Sequence, residues 1–194
     1  ARMQRLSLGP FEYAVLPGAV LFGWIGVAPS LLASFAVGGQ PTLYSALLAL
    51  ELGQTLNRAA KVVLQRRRPT PPLPNTVKRR TYIRVPGPTD PDGASFPSGD
   101  TMAGAAVGAA LALTTGNPAW WALGWYAGFA RVYYWCHYIS DIVVGYAVGT
   151  ASAYLVISVS NGGSDLQWWH PLSMAPPFYL VMKLLKRGQL KRSH

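Results

Sequence analysis

The sequence is poor in charge and almost without cysteine. Only 12% of its 194 residues are charged, about half the share usual in a soluble domain. The charge it has leans one way, with 17 Lys and Arg against 7 Asp and Glu for a formal net charge of +10. Cys136 is the single cysteine, so no internal disulfide can form, and redox compartment is not legible from cysteine usage. Three histidines and scattered carboxylates make no recognisable metal cluster, so neither a metal nor another cofactor is expected. The net charge alone would fit a nucleic-acid binder. The apolar stretches argue against one, because basic flanks of membrane segments leave the same electrostatic footprint.

Apolar residues make up 51% of the chain, yet mean hydropathy is only +0.21. The average hides segregation: long apolar runs alternate with a few very basic links. These runs predict an all-α, multi-pass transmembrane helical bundle, one membrane-embedded domain over residues 1–194 with about six spans: 14–37, 42–64, 98–115, 118–135, 140–159 and 168–185. Pro17 and Pro29 are expected to kink the first span. The first apolar run has no cleavage-like site and reads as a retained helix. The last is about 18 residues long and interrupted by Pro176-Pro177, at the short end for a crossing helix. Between the second and third spans lies a loop, 69–97, with eight prolines and no helical periodicity. A connection of that length is usually functional or disordered.

Small residues recur at four-residue spacing in three consecutive spans: Gly104 and Gly108, Gly124 and Gly128, Gly145 and Gly149. Such pairs let helix backbones approach closely in lipid and predict a compact bundle. In the second span, Glu51, Gln54, Asn57, Arg58 and Lys61 follow at spacings of three and four. They are expected to line one inward face, with Glu51 and Asn57 hydrogen-bonding between helices.

Six spans put the amino terminus, the Pro-rich loop, the link between the fourth and fifth spans and the carboxyl tail on one side. Every Lys and Arg falls on that side or in that half of a helix, and the opposite links contain none. The positive-inside rule makes the basic side cytosol, matrix or stroma. The particular membrane is not specified; an endoplasmic-reticulum or organellar membrane fits. Trp120, Trp121, Trp168 and Trp169 read as an aromatic belt at the opposite interface.

Three clusters of polar residues fall on the basic side. Lys61 and Arg68 are seven apart, two turns if the helix continues, and so share a face. Pro97-Ser98-Gly99 opens the third helix, whose free N–H groups and dipole favour an anion. Arg131 ends the fourth helix. His137 and Asp141 are four apart at the start of the fifth, close enough for the carboxylate to orient the imidazole. Three cations and a helix N-terminus suit a phosphate-like dianion. The oriented histidine is a candidate nucleophile that would form a phosphohistidine for water to hydrolyse, with the cations stabilising charge on the equatorial oxygens. Arg66, Arg67, Lys78, Arg79 and Arg80 are assigned instead to topology and contact with anionic lipid.

These residues resemble the motifs of the type 2 phosphatidic acid phosphatase superfamily of lipid phosphate hydrolases. Lys61 to Arg68-Pro69 is similar to its first motif, Pro97-Ser98-Gly99-Asp100 to its second, and Arg131, His137 and Asp141 to its third, in order and at matching spacing. The resemblance implies that Lys61, Arg68, Ser98, Gly99 and Arg131 bind the substrate phosphate, that His137 is the nucleophile and that Asp141 orients it. Soluble haloperoxidases share the motifs, but the apolar spans set this chain apart from them.

Asp100 departs from the pattern, since the family has a histidine there that protonates the leaving oxygen. An ionised carboxylate cannot donate a proton, and its charge repels phosphate. Losing a general acid typically costs about 10²–10⁴ in rate. Three expectations follow. The chain acts on lipids whose leaving group needs little protonation, such as a diphosphate; or burial keeps Asp100 protonated; or the site is inactive and the protein is a structural or assembly subunit of a membrane complex. The expected partners are the bilayer, a lipid phosphate or diphosphate and, on the last reading, other proteins, with no nucleic acid. A transporter ranks last, because the sequence lacks an internal repeat or paired broken helices.

Overall fold

The computed structural model describes residues 10, 12–23, 26–69, 94–167 and 169–171. Among them every regular element is helical: α1 (Glu12–Val20), α2 (Val27–Leu64), α3 (Gly99–Thr115), α4 (Ala122–Tyr133) and α5 (Ile139–Val159), with short 3-10 turns at Pro118–Trp121 and Asn161–Gly163. The fold is all-α, as the apolar pattern predicts. Most of the Pro-rich loop, nearly all of the expected last span, 168–185, and the basic carboxyl tail lie outside the described residues.

α3 is the centre of the bundle. Its residues from Thr101 to Ala112 are buried without exception, and it packs against α2, α4 and α5, while α1 packs on α4. The composition of α3, mostly Ala and Gly, explains its position: small side chains let three neighbours come close at once. A Cβ on Gly124 would stand 2.8 Å from Ala105 Cβ, and one on Gly145 would stand 2.5 Å from the Ser98 carbonyl oxygen. A Cβ on Gly108 would run into the Trp120 carbonyl, and one on Gly149 into that of Met102. The three spaced glycine pairs therefore mark real helix crossings: Gly104, Gly108 and Gly124 join α3 to the segment 118–133, and Gly145 and Gly149 join α3 to α5. Gly128 meets Ile142 of α5 and Thr101 of α3.

The expected first span, 14–37, is two helices. α1 ends at Val20 and α2 begins at Val27, with turn hydrogen bonds from Gly23 N–H to Val20 O and from Val27 N–H to Gly23 O. Pro29 falls in the first turn of α2, where an N–H has no intrahelical partner in any case, so it removes no helical hydrogen bond. At the expected link, 38–41, Gly39 with φ 69° and ψ −162° makes a kink that divides α2 into two helical stretches. Only glycine adopts that conformation readily, and Pro41 follows it. At this end of the bundle the Thr42 and Thr114 hydroxyls join α2 to α3 at 2.6 Å.

Among the described residues two helices, Val27–Leu64 and Ile139–Val159, are long and apolar enough to cross a membrane. α3 is about 26 Å long at 1.5 Å per residue. The outward faces carry Leu32, Phe35, Val63, Val143, Leu155 and Val159 exposed. The core inside is one cluster among α2, α3, α4 and α5, plus a smaller one of Val15, Ala19, Ala130, Tyr133 and Tyr134 between α1 and the end of α4.

The expected effect of Gly149→Ala is a destabilisation of roughly 1–3 kcal/mol, the usual range for overpacking, because its methyl meets α3 backbone that has no room to yield. Gly23→Ala, whose Cβ comes no closer than 3.5 Å to Val20 O, serves as the control and is expected to change stability far less. Unfolding midpoints of the two variants in one detergent check this.

Candidate active site

One end of the bundle gathers the carboxyl ends of α2 and α4 and the amino ends of α3 and α5. α2 stops at Leu64 because Gln65 turns left-handed, at φ 42°, its N–H bonding to Lys61 O. Residues 65–69 then run free of helix. This corrects the helical account of the first motif: Lys61 and Arg68 do not share a helix face, and the turn at Gln65 redirects the chain. The returning segment is fastened to the same stretch. Ser95 N–H donates to Arg66 O at 2.7 Å, the Ser95 hydroxyl to Arg67 O at 3.2 Å, and Lys61 Nζ to Ala94 O at 2.8 Å.

Ser98 is the N-cap of α3. Its buried hydroxyl oxygen accepts from the Thr101 hydroxyl at 2.8 Å and, more weakly, from Thr101 N–H at 3.4 Å, satisfying one of the orphan donors of a helix start. Ser98 N–H donates to Asp141 O at 2.9 Å, which pins the start of α3 to the first turn of α5. Gly145 makes that approach possible, one turn further along α5.

Between α4 and α5 the chain turns a tight corner. Trp135 is left-handed at φ 57°, a conformation that costs a non-glycine residue roughly 1–2 kcal/mol, and Cys136 N–H donates to Arg131 O at 2.9 Å. The corner leaves Cys136 O accepting from Arg68 Nη1 at 3.1 Å and sets His137 Nε2 3.4 Å from the same guanidinium nitrogen. α5 begins only at Ile139, so His137 and Asp141 do not lie four apart on one helix, as the spacing implied. They meet because Asp141, in the first turn, folds its carboxylate back over the helix start: Oδ2 accepts Tyr138 N–H at 2.9 Å and lies 3.5 Å from His137 Nδ1.

Asp141 Oδ1 takes Arg66 Nη1 at 2.9 Å. The Arg66 guanidinium also donates to Ser140 Oγ at 2.7 Å and lies 4.1 Å from the Tyr138 ring centroid. Assigned from the sequence to topology and lipid contact, Arg66 proves to be the charge partner of the buried carboxylate. Helical counting could not find it, because the helix has ended before it; its nearness to the first motif was the one available sign.

His137 is buried among cations. Burial pushes its imidazole down from 6.5 to about 4, and the charges of Arg131, Arg68 and Lys61 add to that, against the raising effect of the Asp141 carboxylate. The ring is therefore neutral at physiological pH, with its Nε2 edge towards Arg68.

Asp100 forms an ion pair with Arg131, Oδ2 to Nε at 2.9 Å, and its side chain keeps 22% exposure. Arg131 sits in the last turn of α4 with its side chain nearly covered. Of the residues singled out from the sequence, the structure brings Lys61, Arg68, Ser98, Gly99, Asp100, Arg131, His137 and Asp141 to one end of the bundle. On the polar face of α2, Asn57 is buried and Glu51 half-buried, but Arg58 is exposed. Among the described residues Asn57 makes none of the interhelical hydrogen bonds expected of it, and Glu51 Oε2 has no partner.

The profile of the PAP2 superfamily matches residues 42–163, a stretch that holds all three motifs and α3 to α5 entire. Comparison with curated proteins and with solved structures returned no match.

The lowered His137 pKa fixes a sign for stability against pH. An imidazole that titrates at about 4 when folded and near 6.5 when unfolded stabilises the fold above pH 6.5, and that contribution is lost as pH falls to about 4. Between pH 7 and 4 the wild type is expected to lose on the order of 3 kcal/mol more than His137→Gln, which has no imidazole to charge. Parallel denaturant titrations of the two proteins give the difference; equal pH slopes contradict it.

Proposed function

Since the chain belongs to the PAP2 superfamily, a family that hydrolyses phosphate esters, we propose that it removes phosphate from a membrane lipid phosphate or diphosphate through a phosphohistidine on His137. The observation that carries this reading is the His137 ring itself: buried, neutral, backed by a carboxylate at Nδ1 and facing a guanidinium at Nε2. In the proposed reaction Lys61, Arg68, Arg131 and the N–H groups at the start of α3 hold the phosphoryl oxygens. Nε2 attacks phosphorus, the bond from phosphorus to the leaving oxygen breaks, and Asp141 steadies the imidazolium that forms. Water then attacks the phosphohistidine, releases inorganic phosphate and restores the ring.

The bundle is proposed to lie in a bilayer with about six spans, and with this end on the positively charged side together with both termini. The apolar outward faces of the helices and the two long apolar helices support this. Phosphoryl chemistry at a bilayer surface makes a lipid headgroup the natural substrate.

Asp100 decides which lipid. In the proposed reaction Asp100, ion-paired with Arg131, does not serve as a proton donor to the leaving oxygen. A lipid monophosphate leaves as an alkoxide and needs that proton. A lipid diphosphate leaves as a phosphate and does not. A diphosphate is therefore the proposed substrate. The same ion pair favours a second reading, in which the Asp100 carboxylate stands where substrate charge would sit and the protein is an inactive member acting as a structural or assembly subunit.

Hydrolysis of a lipid diphosphate and of the matching monophosphate separates the two. The first reading predicts diphosphate turnover in the wild type and about 10²–10⁴-fold faster monophosphate turnover in Asp100→His than in wild type. Background rates on both lipids, in both folded proteins, leave the subunit reading.

A further inference from the structure

Asn57 is the most fully buried polar side chain of helix α2 near this end, at 1% exposure, and among the described residues neither Oδ1 nor Nδ2 has a hydrogen-bond partner. An amide buried in this way is expensive unless something completes it. It lies one turn before Lys61, on the same face of α2, so it sits directly beneath the lysine that the first motif supplies. Across from it is the start of α3: its Oδ1 is 3.8 Å from where a Cβ on Gly99 would stand. Gly99 is the first residue of α3, and the N–H groups of Gly99 and Asp100 find no acceptor among the described residues. A 17-residue helix thus presents free donors and the positive end of its dipole to a spot floored by an unpartnered amide.

We propose that Asn57 is a further ligand-binding residue of this site, the floor of the anion pocket, and that its amide, turned so that Nδ2 rather than Oδ1 faces the start of α3, donates to an oxygen of a bound tetrahedral phosphoryl group. The inference rests on the phosphate reading of the site and adds to it a neutral donor that none of the three motifs contains. Its neutrality is chemically useful. The pocket already holds three cations, and a fourth would trap the product phosphate, whereas an amide selects for an oxygen acceptor without adding charge. A site whose buried donor needs an acceptor rejects a ligand that lacks one. The same logic explains why an amide survives unpaired in the core: its partner arrives with the ligand.

The test measures inorganic phosphate binding and ligand-free unfolding on the full chain in one detergent, for wild type, Asn57→Leu, Asn57→Ala and Arg68→Ala. Asn57→Leu removes both polar ends at similar volume. It is expected to hold or raise the unfolding temperature without ligand while weakening phosphate binding by roughly tenfold. Asn57→Ala serves the same comparison if the leucine does not fold. A purely structural asparagine does the reverse, losing stability and keeping its affinity, and that result overturns the proposal. If Arg68→Ala weakens phosphate and both Asn57 variants bind like wild type, the pocket stands and the role of Asn57 falls. If wild type shows no phosphate binding that Arg68→Ala reduces, the reading of the site falls with it.

Discussion

A single buried carboxylate holds this end of the molecule together. Asp141 is fully buried, and both of its oxygens are in use: Oδ1 on Arg66, Oδ2 on Tyr138 N–H and within 3.5 Å of His137. Its backbone carbonyl ties down the first N–H of the Ser98 cap. One residue therefore joins the end of α2, the start of α3, the corner after α4 and the start of α5. Asp141 is the buried member of its pair with Arg66, which is half-exposed, so solvent screens part of the attraction. Arg66 closes this cluster on the outer side, with its guanidinium over the Tyr138 ring.

The glycine crossings make that convergence possible. Helices that carry Leu or Ile at their contacts pack 8–10 Å apart. Here the backbones of α4 and α5 come against α3 through Gly124, Gly145 and Gly149, and the short links at the ends bring charged groups within bonding distance. The order of causes runs from small residues, to close axes, to aligned helix ends, to a cationic cluster around a neutral imidazole. The strain visible at Trp135 lies where the chain must turn to aim His137 inwards. Strained backbone of this kind persists where the surroundings over-determine it.

Much of this was legible in the sequence, and the parts that were not have physical reasons. The three glycine pairs announced the crossings, because close approach leaves a compositional trace. The residues at the site were legible as types and spacings: Lys61, Arg68, Arg131, His137 and Asp141 meet at one end, with Ser98, Gly99 and Asp100 beside them. The geometry behind the spacings was not legible. Seven residues looked like two turns of helix, yet α2 ends at Leu64 and the turn at Gln65 delivers Arg68. Four residues looked like one turn, yet α5 starts after His137 and a carboxylate folding back over the helix start makes the contact. Both are end effects, where helix periodicity stops and capping takes over. Arg66 was invisible for the same reason. Asn57 was read correctly as inward-facing but wrongly as paired, since periodicity reports a face and says nothing about partners. The end of α1 at Val20 and the start of α2 at Val27 were not legible, because an apolar run does not reveal where one helix gives way to the next.

Asp100 is where the chain parts from the pattern it otherwise follows, and the structure shows it engaged with Arg131 rather than idle. The central claim, that His137 takes up phosphorus, is tested most directly by rapid quenching of the protein with a lipid diphosphate labelled at its terminal phosphorus. The account predicts a label on His137 that is stable to alkali and labile to acid, and absent from His137→Asn. Release of labelled phosphate with no label on His137, or a label on any other residue, contradicts it.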